Sequence, residues 1–381
     1  MNSPQKKLSI LQVCHDTKGP FVNVCRQYAR AFDGHNVTTV FLKGSPDKSV
    51  EDRIGGSKVV FLAGNTNQAN NVLSGLKMNT LIRMYRLLRE NSFDMAIAHR
   101  YKAIYVVCIM SLIFSLPKIL AVAHEFNMFR RLTRRIFIRL IVRFGSAEFL
   151  MAGVSTSVTN SIGRQCPVLK ESASLLTLYN TIDVGQAKNI LSRSEARAKL
   201  SLSEQEIVIG SIGRLVKKKN QDVLVEAFSN LQQDNTKLIL IGSGPEESNL
   251  RDLVDQKRLG ESVVLAGPKD EAYRYVRAFD LFVLPSGVEE AFGVVLLEAM
   301  MGGVPILSSD APGPKEVLGD AGDFFVSGNI TDLSKKIEQI LNRSSDVAKA
   351  LTDANLSRLN KVFAFDAFER KLHKILSLET Y

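Results

Sequence analysis

The stretch LFVLPSGVEEAFGVVLLEAMMGGVPILSS, residues 281–309, holds two apolar runs separated by a segment of helix formers. LFVL is aromatic and β-branched without a charge, and it breaks at Pro285, Ser286 and Gly287. A short apolar run bounded by turn residues reads as a buried strand. AFGVVLLEAM then starts a helix near Phe292 and Gly293 that stops at Gly302 and Gly303, and VPILSS opens a second strand. Strand, helix and strand in that order make a crossover between parallel neighbours. Both strands are apolar on both faces, as a sheet covered by helices on each side requires.

The alternation extends outward from this unit in both directions. Upstream lie the strands EIVIGSIGRL, KLILIGSG and SVVLAGP, with the helices NQDVLVEAFSNLQQ, EESNLRDLVDQKRLG and DEAYRYVRAF between them. The first half repeats the pattern in LSILQVC, NVTTVFLKG, KVVFLAG, FDMAIAHR and KILAVAHEF, interleaved with the amphipathic VNVCRQYARAF and NTLIRMYRLLREN. The chain has 381 residues, more than the ~100–200 of a usual single core. Two doubly wound α/β domains are therefore expected, joined near residue 180 and facing each other across a cleft, with ligands beyond the carboxyl ends of the strands. The boundaries predicted are 1–180, 181–362 and a last helix, FAFDAFERKLHKILSL, from about 363 to 381.

The net charge of +10 is unevenly distributed. Residues 1–180 hold 24 Lys+Arg against 10 Asp+Glu, a balance of +14, and residues 181–381 hold the remaining 25 and 29, a balance of −4. The first half should attract anions: a phosphorylated substrate, nucleic acid or an anionic membrane. No aromatic–basic stacking pattern supports nucleic acid. The amino-terminal run is broken by Gln12, Cys14 and His15, so it reads as a first strand rather than a signal peptide. AIYVVCIMSLIFSLPK stops at Pro117 after about 14 apolar residues, short of the ~20 that span a bilayer, and reads as a core helix. Four cysteines (14, 25, 108 and 166) form no C-x-x-C pair, which fits reduced thiols in a cytoplasm.

Three motifs carry chemistry. GSIGRLVKKKN places Gly213 and Arg214 at a strand end and Lys219 just ahead of a helix. Cations beside a helix start suit a pyrophosphate, although the lysine run also reads as a solvated loop. LILIGSGPEE lacks the third glycine of G-x-G-x-x-G and reads as a tight strand-to-helix turn, not a nicotinamide site. In GVEEAFGVVLLEAM, Glu290 lies in the loop before the helix and Glu298 on its second turn, roughly 10 Å apart at ~1.5 Å rise per residue. Carboxylates so spaced cannot share one metal, but they can accept hydroxyls at opposite ends of a sugar nucleotide whose diphosphate rests on the helix start. Each Glu alone also reads as a helix-start acid or a solvent-facing one.

Taken in order, GRLVKKKN, IGSGPE, LPSGVEEAFGVVLLEAMMGGVPIL and PGPKEVLGDAG resemble glycosyltransferase family 4, the large retaining group with the GT-B fold, and among its members the bacterial enzymes of lipopolysaccharide-core and cell-surface glycan synthesis. DMAIAHRYKA, AVAHEF, AGVSTSVTNSI and LYNTID are similar to the family's first-domain strand ends and hinge. The resemblance implies an acceptor-binding first domain and a nucleotide-sugar-binding second, with the last helix, from about 363 to 381, crossing back to the first. It implies that Arg214 and Lys219 hold the donor diphosphate, and that Glu298 binds the ribose. Glu290 would lie near the transferred sugar, with the backbone of Phe292, Gly293 and Val294 approaching sugar and phosphate. His124 would face the donor sugar, and Lys18 and Gly19 would touch the phosphates and the acceptor. Two positions depart from the family: Pro20 removes a donor N–H, and Ala291 stands where a glycine is usual, so strain is expected there.

The function these readings imply is transfer of a hexose-type sugar, with retention, from a nucleotide-diphosphate sugar (UDP favoured) to a cell-surface glycan or lipopolysaccharide-core acceptor, without a cofactor. No D-x-D triplet and no H-x-x-H spacing occurs, so no catalytic metal is expected. HEFNMFRRLTRRIFIRLIVRF carries arginines at 130, 131, 134, 135, 139 and 143. Residues 127–144 then form either a surface helix packed on one side or a contact with the anionic inner face of the cell membrane, which would make the protein cytoplasmic and peripheral. The alternatives are a sugar-nucleotide 2-epimerase on the same scaffold and a non-catalytic glycan- or nucleotide-binding protein at the membrane.

Overall fold

The computed structural model describes residues 7–17, 21–63, 78–172, 174–231 and 235–377. They divide into two compact units, Met1–Tyr179 with Lys371–Tyr381, and Asn180–Arg370. The first holds a seven-stranded parallel sheet in the order β3-β2-β1-β4-β5-β6-β7. Its strands are β1 (Ser9–Cys14), β2 (Asn36–Phe41), β3 (Ser57–Phe61), β4 (Met95–His99), β5 (Lys118–Ala123), β6 (Glu148–Gly153) and β7 (Leu175–Thr177). The second holds a six-stranded parallel sheet in the order β10-β9-β8-β11-β12-β13. There the strands are β8 (Ile207–Ile212), β9 (Thr236–Ile241), β10 (Val263–Gly267), β11 (Leu281–Leu284), β12 (Ile306–Ser309) and β13 (Asp323–Phe325).

In both sheets the strand order reverses beside the first strand of the unit. Residues after β1 and β4, and after β8 and β11, therefore diverge to opposite sides and leave a crevice at the strand ends, where α/β folds bind ligands. Continuous apolar strands supply the cores: every residue of β4 and β11 is buried. In the second unit Ile209, Leu238, Leu240, Leu281 and Val283 pack against Leu224, Phe228, Leu333 and Ile337 from the covering helices. Arg197 is fully buried beneath this sheet and holds the carbonyls of Ala278, Ser203, Glu204 and Glu206 as well as the Asp280 carboxylate, at 2.7–3.1 Å. Asp280 in turn accepts the Val208 N–H at 2.7 Å, tying the start of β8 to the loop before β11.

Several elements differ from the sequence expectations. DEAYRYVRAF is a 3₁₀ segment, Ala272–Ala278, because Glu271 before it adopts a left-handed φ of +50° and the bonds close over three residues. The basic segment begins its helix only at Leu132, after a turn in which Met128 and Phe129 are fully buried. Residues Arg100–Ser111 form the expected core helix, yet Leu112 and Ile113 beyond it are exposed. The boundary after the second unit falls inside the last helix, Phe365–Ile375, between Arg370 and Lys371. Thr181 donates to the Phe363 carbonyl at 2.8 Å on one side of that boundary, and His373 Nε2 lies 2.7 Å from the Ala31 carbonyl on the other. All four cysteines are buried and free. No helix of the described residues is long and apolar enough to cross a membrane.

Candidate active site

The loop after β8 and the loop after β11 are joined by backbone and side chain. Gly287 N–H donates to the Lys218 carbonyl at 2.9 Å, which sets the register between the two loops. Lys219 Nζ then reaches Glu290 Oε2 at 2.5 Å, both side chains being largely buried. Burial raises the Glu290 carboxyl, but the Lys219 charge and hydrogen bond outweigh it and hold the group below its usual range. The three lysines of the run thus separate: Lys217 pairs with exposed Asp222 at 2.6 Å, Lys218 offers its carbonyl, and Lys219 turns inward. Arg214 stays exposed, and its carbonyl accepts from Gln221 Nε2 at 3.2 Å. The Gly213 N–H is taken by the Ile241 carbonyl at 2.9 Å, so the sheet uses it and a phosphate would find no donor there.

Gly293 is the N-cap of the helix Val294–Gly302 and has φ +85°. A side chain there would be strained by the backbone and would meet Leu284 Cδ2 at 3.0 Å. Gly293 takes the left-handed turn, so Ala291 has no positive φ and the strain expected at that position is absent. The helix start has no side-chain cap and no acid in its first turn, so no side chain there offsets its positive end. Phe292 is itself core, edge-on to Phe363 at 5.6 Å. Gly313, in the first turn of the helix Pro312–Leu318, comes so close that a Cβ would lie 2.5 Å from the Glu290 carbonyl.

Glu298 follows one turn into this helix. Burial alone raises its carboxyl to about 7, with no cation among the described residues paired to it. Arg214, Lys219, Glu290, Gly293, Val294 and Glu298 therefore lie on two linked loops and one helix of a single unit. Among the described residues no cluster of His, Cys, Asp and Glu is set to hold a metal ion.

His124 belongs to the first unit, just after β5. Its Nε2 lies 3.3 Å from His99 Nδ1 at the end of β4, and its ring meets Phe21 edge-on at 5.3 Å. Burial and the Arg100 charge push it down to about 3, so it is a neutral imidazole. Arg100, directly after His99, holds a left-handed φ of +68° and places its guanidinium over Phe21 at 5.0 Å. Lys43, Arg100 and Lys102 follow β2 and β4 without an ion pair among the described residues. Burial first, then the Lys43 and Arg100 charges, lower the Lys102 ammonium. Sequence reasoning assigned no role to His99, Lys43 or Lys102. Lys18 and Gly19 lie outside the described residues.

Known proteins similar to this chain are glycosyltransferases and related enzymes. Residues 192–355 match the family described as glycosyl transferases group 1. The N-acetyl-alpha-D-glucosaminyl L-malate synthase of Bacillus anthracis is 30% identical over 205 residues, 53% of this chain and 52% of that protein. The lipopolysaccharide core biosynthesis glycosyltransferase LpsE of Rhizobium meliloti (strain 1021) is 32% identical over 151 residues, 39% and 44% of the two chains. The chain spans about half the length of the curated relatives it matches. Among solved structures, Anabaena Alr3699/HepE in complex with UDP and glucose superposes with a TM-score of 0.80 over 97% of this chain and 99% of that one, at 19% identity. Two parallel Rossmann-like sheets of this kind are the GT-B fold. Within it, the segment 192–355 carries the group 1 glycosyl transferase pattern, and the resemblance read from the motifs holds at that level.

Proposed function

We propose that this protein is a retaining glycosyltransferase that moves a hexose-type sugar from a nucleotide-diphosphate donor, UDP favoured, to a cell-surface glycan or lipopolysaccharide-core acceptor. The observation that carries the reading is the Lys219–Glu290 pair joining the loop that holds Arg214 to the loop leading into the helix of Gly293 and Glu298, a carboxylate with no cation paired to it among the described residues. A leaving diphosphate needs its growing charge stabilised as the glycosidic bond breaks, and cations plus fixed N–H groups supply that without reorganising. Glu298 accepts the ribose hydroxyls. Lys219 is shared between Glu290 and the phosphate, so the carboxylate keeps it in place when the donor is absent. The leaving phosphate oxygen takes the acceptor proton, and neither an enzymic base nor a metal is required. HepE was solved with UDP and glucose, and LpsE is named for lipopolysaccharide core biosynthesis, which supports the donor and acceptor classes. Lys43, Arg100 and Lys102, without an ion pair among the described residues, favour an acceptor carrying an anionic group.

The helix Leu132–Phe144 supports residence at the inner face of the membrane. Leu132, Ile136, Leu140 and Phe144, four residues apart, are 50–75% exposed, and exposed Arg131, Arg139 and Arg143 flank them. That is a lipid-facing stripe with a basic rim. A transfer assay over nucleotide sugars in the presence of a chelator tests the central reading. Arg214→Ala and Lys219→Ala should each lower turnover more than about tenfold, the loss of one charge-stabilising group. Near-normal turnover in both variants, or inversion at the anomeric carbon, would overturn it.

A further inference from the structure

Five adjacent strands of the first sheet each place one polar side chain in a single line. Thr39 Oγ1 of β2 lies 2.7 Å from Ser57 Oγ of β3 and donates to Gln12 Oε1 of β1 at 3.1 Å. Gln12 Nε2 lies 3.2 Å from His99 Nε2 at the end of β4, and His99 Nδ1 lies 3.3 Å from His124 Nε2 after β5. Gln12, Thr39 and His99 are buried to 1% exposure or less, among the buried apolar residues of their strands. Polar groups there cost stability unless every one is bonded, and the line bonds them all.

The bonds also have a direction. An amide nitrogen only donates, so His99 Nε2 accepts and the His99 proton sits on Nδ1. His99 therefore donates to His124 Nε2, which leaves the His124 proton on Nδ1. At the other end the Thr39 proton goes to Gln12, so Ser57 donates to Thr39. No described group bonds the His124 Nδ1.

We infer that Ser57, Thr39, Gln12 and His99 are positioning residues that fix His124 as the Nδ1–H tautomer, presenting a neutral hydrogen-bond donor to an oxygen of the nucleotide sugar. A ring protonated at Nδ1 and capped at Nε2 cannot act as a base. Its part is to orient a hydroxyl or phosphate oxygen. The identity of that ligand rests on the glycosyltransferase reading, whereas the tautomer does not.

Two-bond ¹H–¹⁵N correlation spectra of ¹⁵N-histidine-labelled full-length protein read the tautomer directly, with His124→Gln used to assign the signal. The ligand-free protein should show His124 with a protonated Nδ1 and a bare Nε2. An Nε2–H ring or an imidazolium at neutral pH overturns the proposal. Thr39→Val is isosteric and two strands removed from His124, so a purely packing role would leave the ring unchanged. With its donor gone the Gln12 amide can rotate, and both His124 nitrogens should shift toward a tautomeric mixture while the circular dichroism spectrum stays native. An unchanged His124 in that variant refutes the relay. Addition of UDP-glucose should then move the wild-type Nδ1 resonance. If the tautomer is as inferred but the signal stays still up to millimolar UDP-glucose, the relay stands and its sugar-facing role is lost.

Discussion

Glu290 and Glu298 stand eight positions apart in one motif, and their environments give them opposite dependences on pH. Lys219 holds Glu290 below its ordinary value, so its share of stability is present above pH 4.5 and is lost as pH falls through the lowered value. Glu298 is raised by burial from 4.5 to about 7. Below pH 4.5 it is protonated in both folded and unfolded chains. Between about 4.5 and 7 the unfolded chain ionises first, so stability falls as pH rises, by about 1.4 kcal/mol per unit and roughly 3 kcal/mol in all. Glu298→Gln should therefore match the parent in acid and exceed its stability by about 2–3 kcal/mol above pH 8. Urea midpoints across that range measure this, and parallel curves for the two proteins would exclude a burial-raised carboxyl. A ligand whose hydroxyls bond the carboxylate favours its charged form. UDP binding at pH 7 should accordingly release protons, visible as a binding enthalpy that varies with the ionisation enthalpy of the buffer, and Glu298→Gln should abolish the variation.

At the scale of single elements, two arginine-rich features behave in opposite ways. Arg197 is a structural strut: its guanidinium joins the segment before β8 to the loop before β11, and Asp280 is its partner at 2.8 Å. Arg197→Ala leaves four carbonyls short of their donor, while Asp280 keeps Arg193 and the Val208 N–H, and should cost about 3 kcal/mol. A thermal melt would show it, and a loss below about 1 kcal/mol would mean that the strands hold their register without the strut. On the helix Leu132–Phe144, Arg134 and Arg135 are committed to the carbonyls of Met128 and Phe129 at 2.8 and 2.7 Å. Their replacement should disturb the turn. Arg139 and Arg143 remain for lipid. Arg139→Glu with Arg143→Glu should thus release the protein from vesicles containing anionic lipid without lowering its melting temperature, and Leu140→Ser with Phe144→Ser should weaken binding even at low salt. Flotation assays separate the two effects, because only the charge contribution fades as salt is raised. Retention by all four substitutions would place membrane contact elsewhere.

Across the whole molecule, the doubly wound pattern was legible because strands buried on both faces leave unbroken apolar runs between turn residues. The strands β7 and β13 are three residues each, too short for periodicity to register. DEAYRYVRAF has helical spacing, and only the left-handed Glu271 diverts it. Of the candidate site, the charged residues at strand ends stood out as types. Their pairing did not, since Lys219 meets Glu290 across 71 positions through a register set by one Gly287–Lys218 bond. Gln12, Thr39 and His99 were each visible as polar residues in apolar runs, but their alignment depends on strand register that one strand's sequence does not encode.

At the end of the chain helical periodicity marked only an amphipathic segment, and it was the family resemblance that assigned this segment to the first core. Leu372 is fully buried, Lys118 Nζ donates to the Leu376 carbonyl at 2.9 Å, and His373 packs on Phe32 with ring centres 5.8 Å apart. These contacts all belong to the first unit, although the sequence reaches them only after completing the second. Leu372→Ala removes a core side chain at a cost of about 2–5 kcal/mol. Hydrogen exchange should then accelerate across β1, β2 and the helix Phe21–Ala31, while β8, β9 and β11 keep their parental protection. Equal acceleration in both sheets would show that the two units unfold as one, and acceleration confined to the second would reverse the assignment of the carboxyl-terminal residues.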